Sequence, residues 1–200
     1  FVESAWFGND GAWSALLDHQ SPELLKVIAY CKKCNIPTVF WCKEDPFDFH
    51  RFLAAASLFD FVFTTDADCI PLYKRMLGHN RVFLLPFACS PILQNPLENF
   101  PRNNGISFAG SFYHRYQKRV ADLDSIIKAA SLHGALHIFD RYADSADINY
   151  RFPEKYKPYI QGSLPYDQID QAYKGYRYSV NLNTIQHSPT MFARRVFELL

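Results

Sequence analysis

The chain has 200 residues, 48% of them hydrophobic and 20% charged, with a formal net charge of +1. This composition supports a buried core and excludes a disordered chain, and its near-neutral balance gives no long-range pull on nucleic acid or an anionic membrane. No apolar run reaches the roughly 20 residues that span a bilayer, and no signal-peptide pattern opens the chain, so a cytoplasmic protein without a transmembrane segment is expected.

Aromatic residues make up 16%, with 18 Phe and 12 Tyr, which suits buried strands and also stacking surfaces for rings or sugars. The five cysteines, Cys31, Cys34, Cys42, Cys69 and Cys89, are odd in number and are read as reduced thiols. Cys31 and Cys34 have the spacing of a redox or zinc pair, but they close a helix and no second pair completes a zinc site.

In chain order, Phe1 and Val2 are the tail of a strand, and residues 3–11 form a polar loop punctuated by Gly8, Asn9 and Gly11. Ser21 and Pro22 open a helix that runs to about Cys34. Residues 37–42 are a continuous apolar run, as expected for a strand buried on both faces, and Glu44-Asp45-Pro46 follows it. A helix covers about 47–57, a strand 59–64, and a helix from Asp66 to its stop at Gly78. Residues 81–87 are a strand.

Pro91, Pro96 and Pro101 then punctuate an irregular stretch read as a linker over 89–104. Beyond it come a strand at 106–109, the turn Gly110-Ser111, a helix over 115–132 and a strand at 136–139. A Tyr- and Pro-rich segment follows, then a short strand at 159–161, a short helix at 166–173 and a strand at 178–182. Ser188, Pro189 and Thr190 are helix-start residues, and apolar positions at near-helical spacing predict a helix to Leu200. It runs to the last residue without a cap, so a fragment truncated at both ends is expected.

Strand and helix alternate in two blocks, which predicts an α/β protein with two Rossmann-like domains and parallel sheets, over 1–88 and 105–200. Ligands of open parallel sheets bind at the carboxyl ends of the strands. The polar clusters Glu3/Ser4, Glu44/Asp45, Thr65/Asp66, Gly110/Ser111, Asp140/Arg141 and Asn181/Asn183 all fall at such ends. Gly110-Ser111 with Arg115, Lys118 and Arg119 behind it is either a phosphate cradle or a tight turn with a solvated basic face. Glu44 and Asp45 are either a turn before a helix or carboxylates at a cleft. Asp66 and Asp68 imitate an acidic metal-binding pair, but they read better as a helix cap and a first-turn acid. The seven histidines show no metal spacing. Arg194, Arg195 and Glu198 share the last helix, where an ordinary surface ion pair is the plain reading.

Together, residues 3–6, 40–46, 64–66, 85–88, 108–111, 140–141, 164–166 and 188–198 resemble the CgeB-like, spore-maturation type of bacterial glycosyltransferase, within the group-1 enzymes of the GT-B fold. The resemblance implies a cleft that holds a nucleotide-sugar, bound mostly by the C-terminal domain. It also implies a retaining transfer of the sugar to a hydroxyl acceptor such as a glycan, without a cofactor or essential metal, in cell-surface or spore-surface assembly. Carried over, Gly110 and Ser111 lie by the diphosphate, Arg119 or Arg195 neutralises the leaving group, and Leu164, Pro165 and Tyr166 line the base pocket. Ser188 and Thr190 open the donor-binding helix, and Glu198 is the first glutamate of a pair that bonds the donor; the second falls beyond Leu200. The N-terminal domain then holds the acceptor, with Glu44, Asp45 and Asp66 as candidates. The alternative is a non-catalytic GT-B-shaped module that binds glycan or protein in a surface or spore-coat assembly.

Overall fold

Capping chemistry and short apolar runs set the element boundaries. The computed structural model describes residues 1–4, 11–13, 15–91, 94–97 and 101–199, with Tyr166 described by its backbone alone. Gly8, Asn9, Asp10 and Leu200 lie outside the described residues. The strands are β1 (Val2–Glu3), β2 (Val39–Cys42), β3 (Phe61–Thr64), β4 (Val82–Leu84), β5 (Asn103–Gly110), β6 (Leu136–Asp140), β7 (Ile160–Gly162) and β8 (Tyr176–Ser179). The helices are α1 (Pro22–Lys33), α2 (Phe49–Ala56), α3 (Cys69–Leu77), α4 (Gln117–His133), α5 (Asp170–Lys174) and α6 (Arg195–Glu198). The chain divides into two units, one of Phe1–Phe87 with Ile185–Phe192, the other of Ala88–Thr184 with Ala193–Leu200.

The first unit holds a parallel sheet in the order β1-β2-β3-β4. The Ser21 hydroxyl accepts from the Leu24 N–H at 3.3 Å to cap α1, and Gly78 ends α3 in the left-handed region at φ 71°. Because the strands follow one another across the sheet, right-handed crossovers bring their helices to one face. Phe40, Cys42, Val62 and Val82 face that side and pack with Leu24, Ile28, Phe52 and Tyr73. On the other face Val39, Trp41, Phe61 and Phe63 are only half-buried. The apolar run at 37–42, expected to be covered on both faces, is therefore a strand with one core face.

The second unit holds a parallel sheet in the order β7-β6-β5-β8. The chain builds outward from β5 through β6 to β7, then returns to add β8 on the other side of β5. β5 is central and is buried on both faces: Phe108 packs with Leu123, Ile127 and Ile138, while Ala109 packs with Ala172 and Tyr173. The reversal of strand order between β5 and β8 is a topological switch point, where neighbouring loops diverge and leave a crevice at the strand carboxyl ends.

The last stretch departs from the sequence expectation. The helix predicted from Ser188 to Leu200 is a single turn, Arg195–Glu198. Ser188 does accept backbone N–H groups, from Thr190 at 3.3 Å and Met191 at 2.8 Å, but it closes a local turn. The Asn183 side chain accepts the Ala193 N–H at 3.0 Å, so side-chain bonds replace the helical ladder before α6 begins. Residues 185–192, expected within the second domain, pack with the first unit.

Candidate functional site

The switch point of the second unit opens into a pocket of about 440 Å³, within the range that holds a small-molecule ligand. Its floor is the carboxyl end of β5, at Ala109, Gly110 and Ser111, and Leu182 and Thr184 contribute from the chain after β8. Arg119, Arg141, Arg194, Arg195 and Glu198 supply its charge, so four cations meet one carboxylate. Tyr113 and Tyr173 add aromatic surface.

Arg119 comes from the first turn of α4 and is only 4% exposed. Its Nη1 donates to the Ser111 carbonyl at 3.1 Å, which ties helix and turn together. Its Nε is buried without a hydrogen-bond partner, and its guanidinium carbon lies 5.2 Å from the centre of the Tyr113 ring. Burial lowers its pKa, and the neighbouring Arg195 lowers it further.

Arg195 is held over the Phe108 ring at 5.7 Å, and its Nε donates to the Tyr173 hydroxyl at 3.3 Å. Gly110 makes this approach possible: a Cβ there would lie 3.0 Å from Phe108 and 3.2 Å from an Arg195 terminal nitrogen. Among the described residues neither Arg119 nor Arg195 forms an ion pair. Arg119 is buried and Arg195 half-buried, and a desolvated guanidinium without a carboxylate partner is costly, a cost that an anionic ligand removes.

Of the residues singled out by sequence, Gly110, Ser111, Arg119, Arg195 and Glu198 therefore share one pocket, with Leu164 on its wall. Pro165 is exposed, and its carbonyl accepts the Gln168 N–H in a turn. The side chain of Tyr166 lies outside the described residues. Arg141 enters because its own N–H is bound to the Gly110 carbonyl at 3.2 Å. Tyr113 and Tyr173 escape a sequence reading, since nothing separates them from core tyrosines in a chain so rich in aromatics.

The remaining candidates lie in the first unit. Asp45 is 0% exposed. Its carboxylate accepts from the Thr64 hydroxyl at 2.6 Å and the Tyr73 hydroxyl at 3.2 Å. Burial raises its pKa to about 6, against these hydrogen bonds. Asp45 is an internal carboxyl after β2, in a cis Asp45–Pro46 turn, closed to solvent. Glu44 is half-buried, and its carbonyl accepts from Asp48 N–H. Asp66 is 1% exposed and accepts the Asp68 N–H at 2.7 Å in a local turn. α3 starts only at Cys69, with Asp68 at its N-cap position and no side-chain cap bond, so the expected cap and first-turn acid both lie ahead of the helix. Thr190 donates to the Thr65 carbonyl and accepts the Ala67 N–H, both at 2.9 Å, so it and Ser188 belong to this edge instead of to the arginine pocket.

Among the described residues no group of three or more His, Cys, Asp or Glu side chains is placed to hold a metal ion, and no helix is long and apolar enough to cross a membrane. Compared with known proteins, the chain matches no protein-family model and no curated protein sequence.

Proposed function

We propose that the protein is a glycosyltransferase of the GT-B type, with the arginine pocket of the second unit as its nucleotide-sugar donor site. The observation that carries this reading is the pair Arg119, buried, and Arg195, half-buried, both without ion-pair partners at the carboxyl end of β5. An anion completes such a pair, and the switch point of a parallel sheet is where nucleotide ligands bind in α/β proteins. The pocket volume of about 440 Å³ accommodates more than a lone phosphate. The sequence resemblance to CgeB-like enzymes adds the sugar and the transfer.

In this proposal the bond between the anomeric carbon and the diphosphate oxygen breaks, the anomeric carbon joins the oxygen of an acceptor hydroxyl, and the hydroxyl proton passes to the departing diphosphate. Negative charge grows on the departing diphosphate, and Arg195 and Arg119 stabilise it there. Glu198, on the same wall, accepts hydrogen bonds from donor-sugar hydroxyls.

Hydrolysis of a panel of nucleotide-sugars, followed by release of nucleoside diphosphate, tests the enzymatic part. Turnover of one donor that is lost in Arg195→Ala is expected. Tight nucleotide binding with no turnover of any donor in the presence of glycan acceptors would favour the non-catalytic binding module.

A further inference from the structure

Arg195 and Glu198 stand three residues apart in α6, a spacing at which opposite charges on a helix meet. They form no ion pair. The Tyr173 phenol holds one of them and stands near the other. Arg195 Nε donates to its oxygen at 3.3 Å, and Glu198 lines the same pocket as Tyr173. Tyr173 comes from α5 and is 9% exposed, packed with Ala109 and Ala172. Burial raises its phenol pKa, with Arg195 opposing the shift and Glu198 adding to it, so at neutral pH the group remains a neutral hydroxyl.

A neutral hydroxyl between the two charges has a particular consequence. It satisfies the inner nitrogen of the arginine without cancelling the positive charge. The terminal nitrogens of Arg195, next to Gly110, stay turned to the pocket. α6 is one turn long and cannot hold a long side chain in place through its own ladder. An arginine carries considerable rotamer freedom, and a fixed partner at Nε removes part of it before a ligand arrives.

We propose that Tyr173 is a positioning residue that insulates Arg195 from Glu198 and so keeps the pocket cationic. The proposal rests on the reading of this pocket as an anion site. Removing the hydroxyl lets the arginine fold onto the glutamate, which neutralises both. The loss then depends on Glu198, which a merely structural role for Tyr173 does not require.

The test is a calorimetric titration of inorganic pyrophosphate into the wild type and into Tyr173→Phe, Glu198→Gln and the double variant, with thermal unfolding of each. Phenylalanine keeps the ring and its packing. Wild type binds, and Tyr173→Phe binds roughly 5- to 10-fold more weakly, as expected for one lost polar contact and a new competing charge. The double variant recovers to within about 2-fold of Glu198→Gln alone, the ordinary error of additivity. Unchanged binding in Tyr173→Phe overturns the insulating role, as does a loss of equal size whether residue 198 is Glu or Gln. No binding by the wild type overturns the anion site itself, and the insulating role with it.

Discussion

Arg119 and Arg195 line one pocket, the charge of Arg195 disfavours that of the buried Arg119, and neither meets a carboxylate partner among the described residues. Such an arrangement is a liability to the free protein and an asset only when an anion is bound. Arg119→Met is therefore expected to leave the ligand-free protein at least as stable as the wild type, because it removes a buried cation and keeps most of the side-chain volume. The same change weakens diphosphate binding by at least about 10-fold, since hydrogen bonds to charged groups are worth about 1.5–3 kcal/mol. Thermal unfolding with and without pyrophosphate reads both effects. A large loss of stability without ligand would show that Arg119 is structural.

Gly110 separates the same two features from the opposite direction. A methyl group at this position meets the Phe108 ring at 3.0 Å and the Arg195 guanidinium at 3.2 Å. The ring is packed in the core, whereas the guanidinium is the movable neighbour. Gly110→Ala is expected to keep the fold, cost about 1–3 kcal/mol of stability through overpacking, and weaken diphosphate binding by displacing Arg195. Binding equal to wild type in a folded Gly110→Ala would place the guanidinium outside the ligand contacts.

Asp45 predicts a pH dependence unrelated to the pocket. Its folded pKa, raised to about 6 from an ordinary 3.8, means that the folded state binds the proton more tightly than the unfolded state. Its contribution to stability is then greatest below pH 4, falls as pH rises toward 6, and is flat above. A shift of about two units corresponds to at most about 3 kcal/mol across that interval. Denaturant unfolding at pH 4 and pH 7 should show this contribution as a difference between wild type and Asp45→Asn, in which the residue cannot ionise. Identical pH dependence in the two proteins would contradict it.

Thr190 ties residues 185–192 to the first unit through two backbone groups at the start of α3. Thr190→Val keeps the shape and removes both bonds. A loss of about 1–3 kcal/mol is expected, because the Ala67 N–H and Thr65 carbonyl lose a partner. Faster hydrogen exchange at the Ala67 amide should accompany it, and unchanged exchange there would count against the tether.

Local chemistry was legible where neighbours in sequence decide the outcome. Ser21 with Pro22 marks the start of α1, and Gly78 marks the end of α3, because caps depend on a few adjacent residues. The Gly110-Ser111 turn is readable as the end of an apolar strand, and with it one wall of the pocket. What escaped the sequence is decided by distant partners. Asp45 carries no local mark of its burial, which Thr64 and Tyr73 decide by bonding its carboxylate. The pattern from Ser188 onward is helical by spacing, yet Asn183 and the bonds of Thr190 to Thr65 and Ala67 take it out of the helix. Tyr173 carries no local mark at all, because its role depends on two side chains that lie more than 20 residues further along.

The anion pocket is tested most directly by calorimetric titration of uridine diphosphate and other nucleoside diphosphates into the wild type and Arg195→Ala, each at low and high salt. Saturable binding of at least one nucleoside diphosphate is predicted. It should weaken by about 10-fold or more in Arg195→Ala, and the variant should also show a shallower loss of affinity with salt. No binding of any nucleoside diphosphate to the folded wild type, or equal binding by Arg195→Ala, would contradict a donor site built on these arginines.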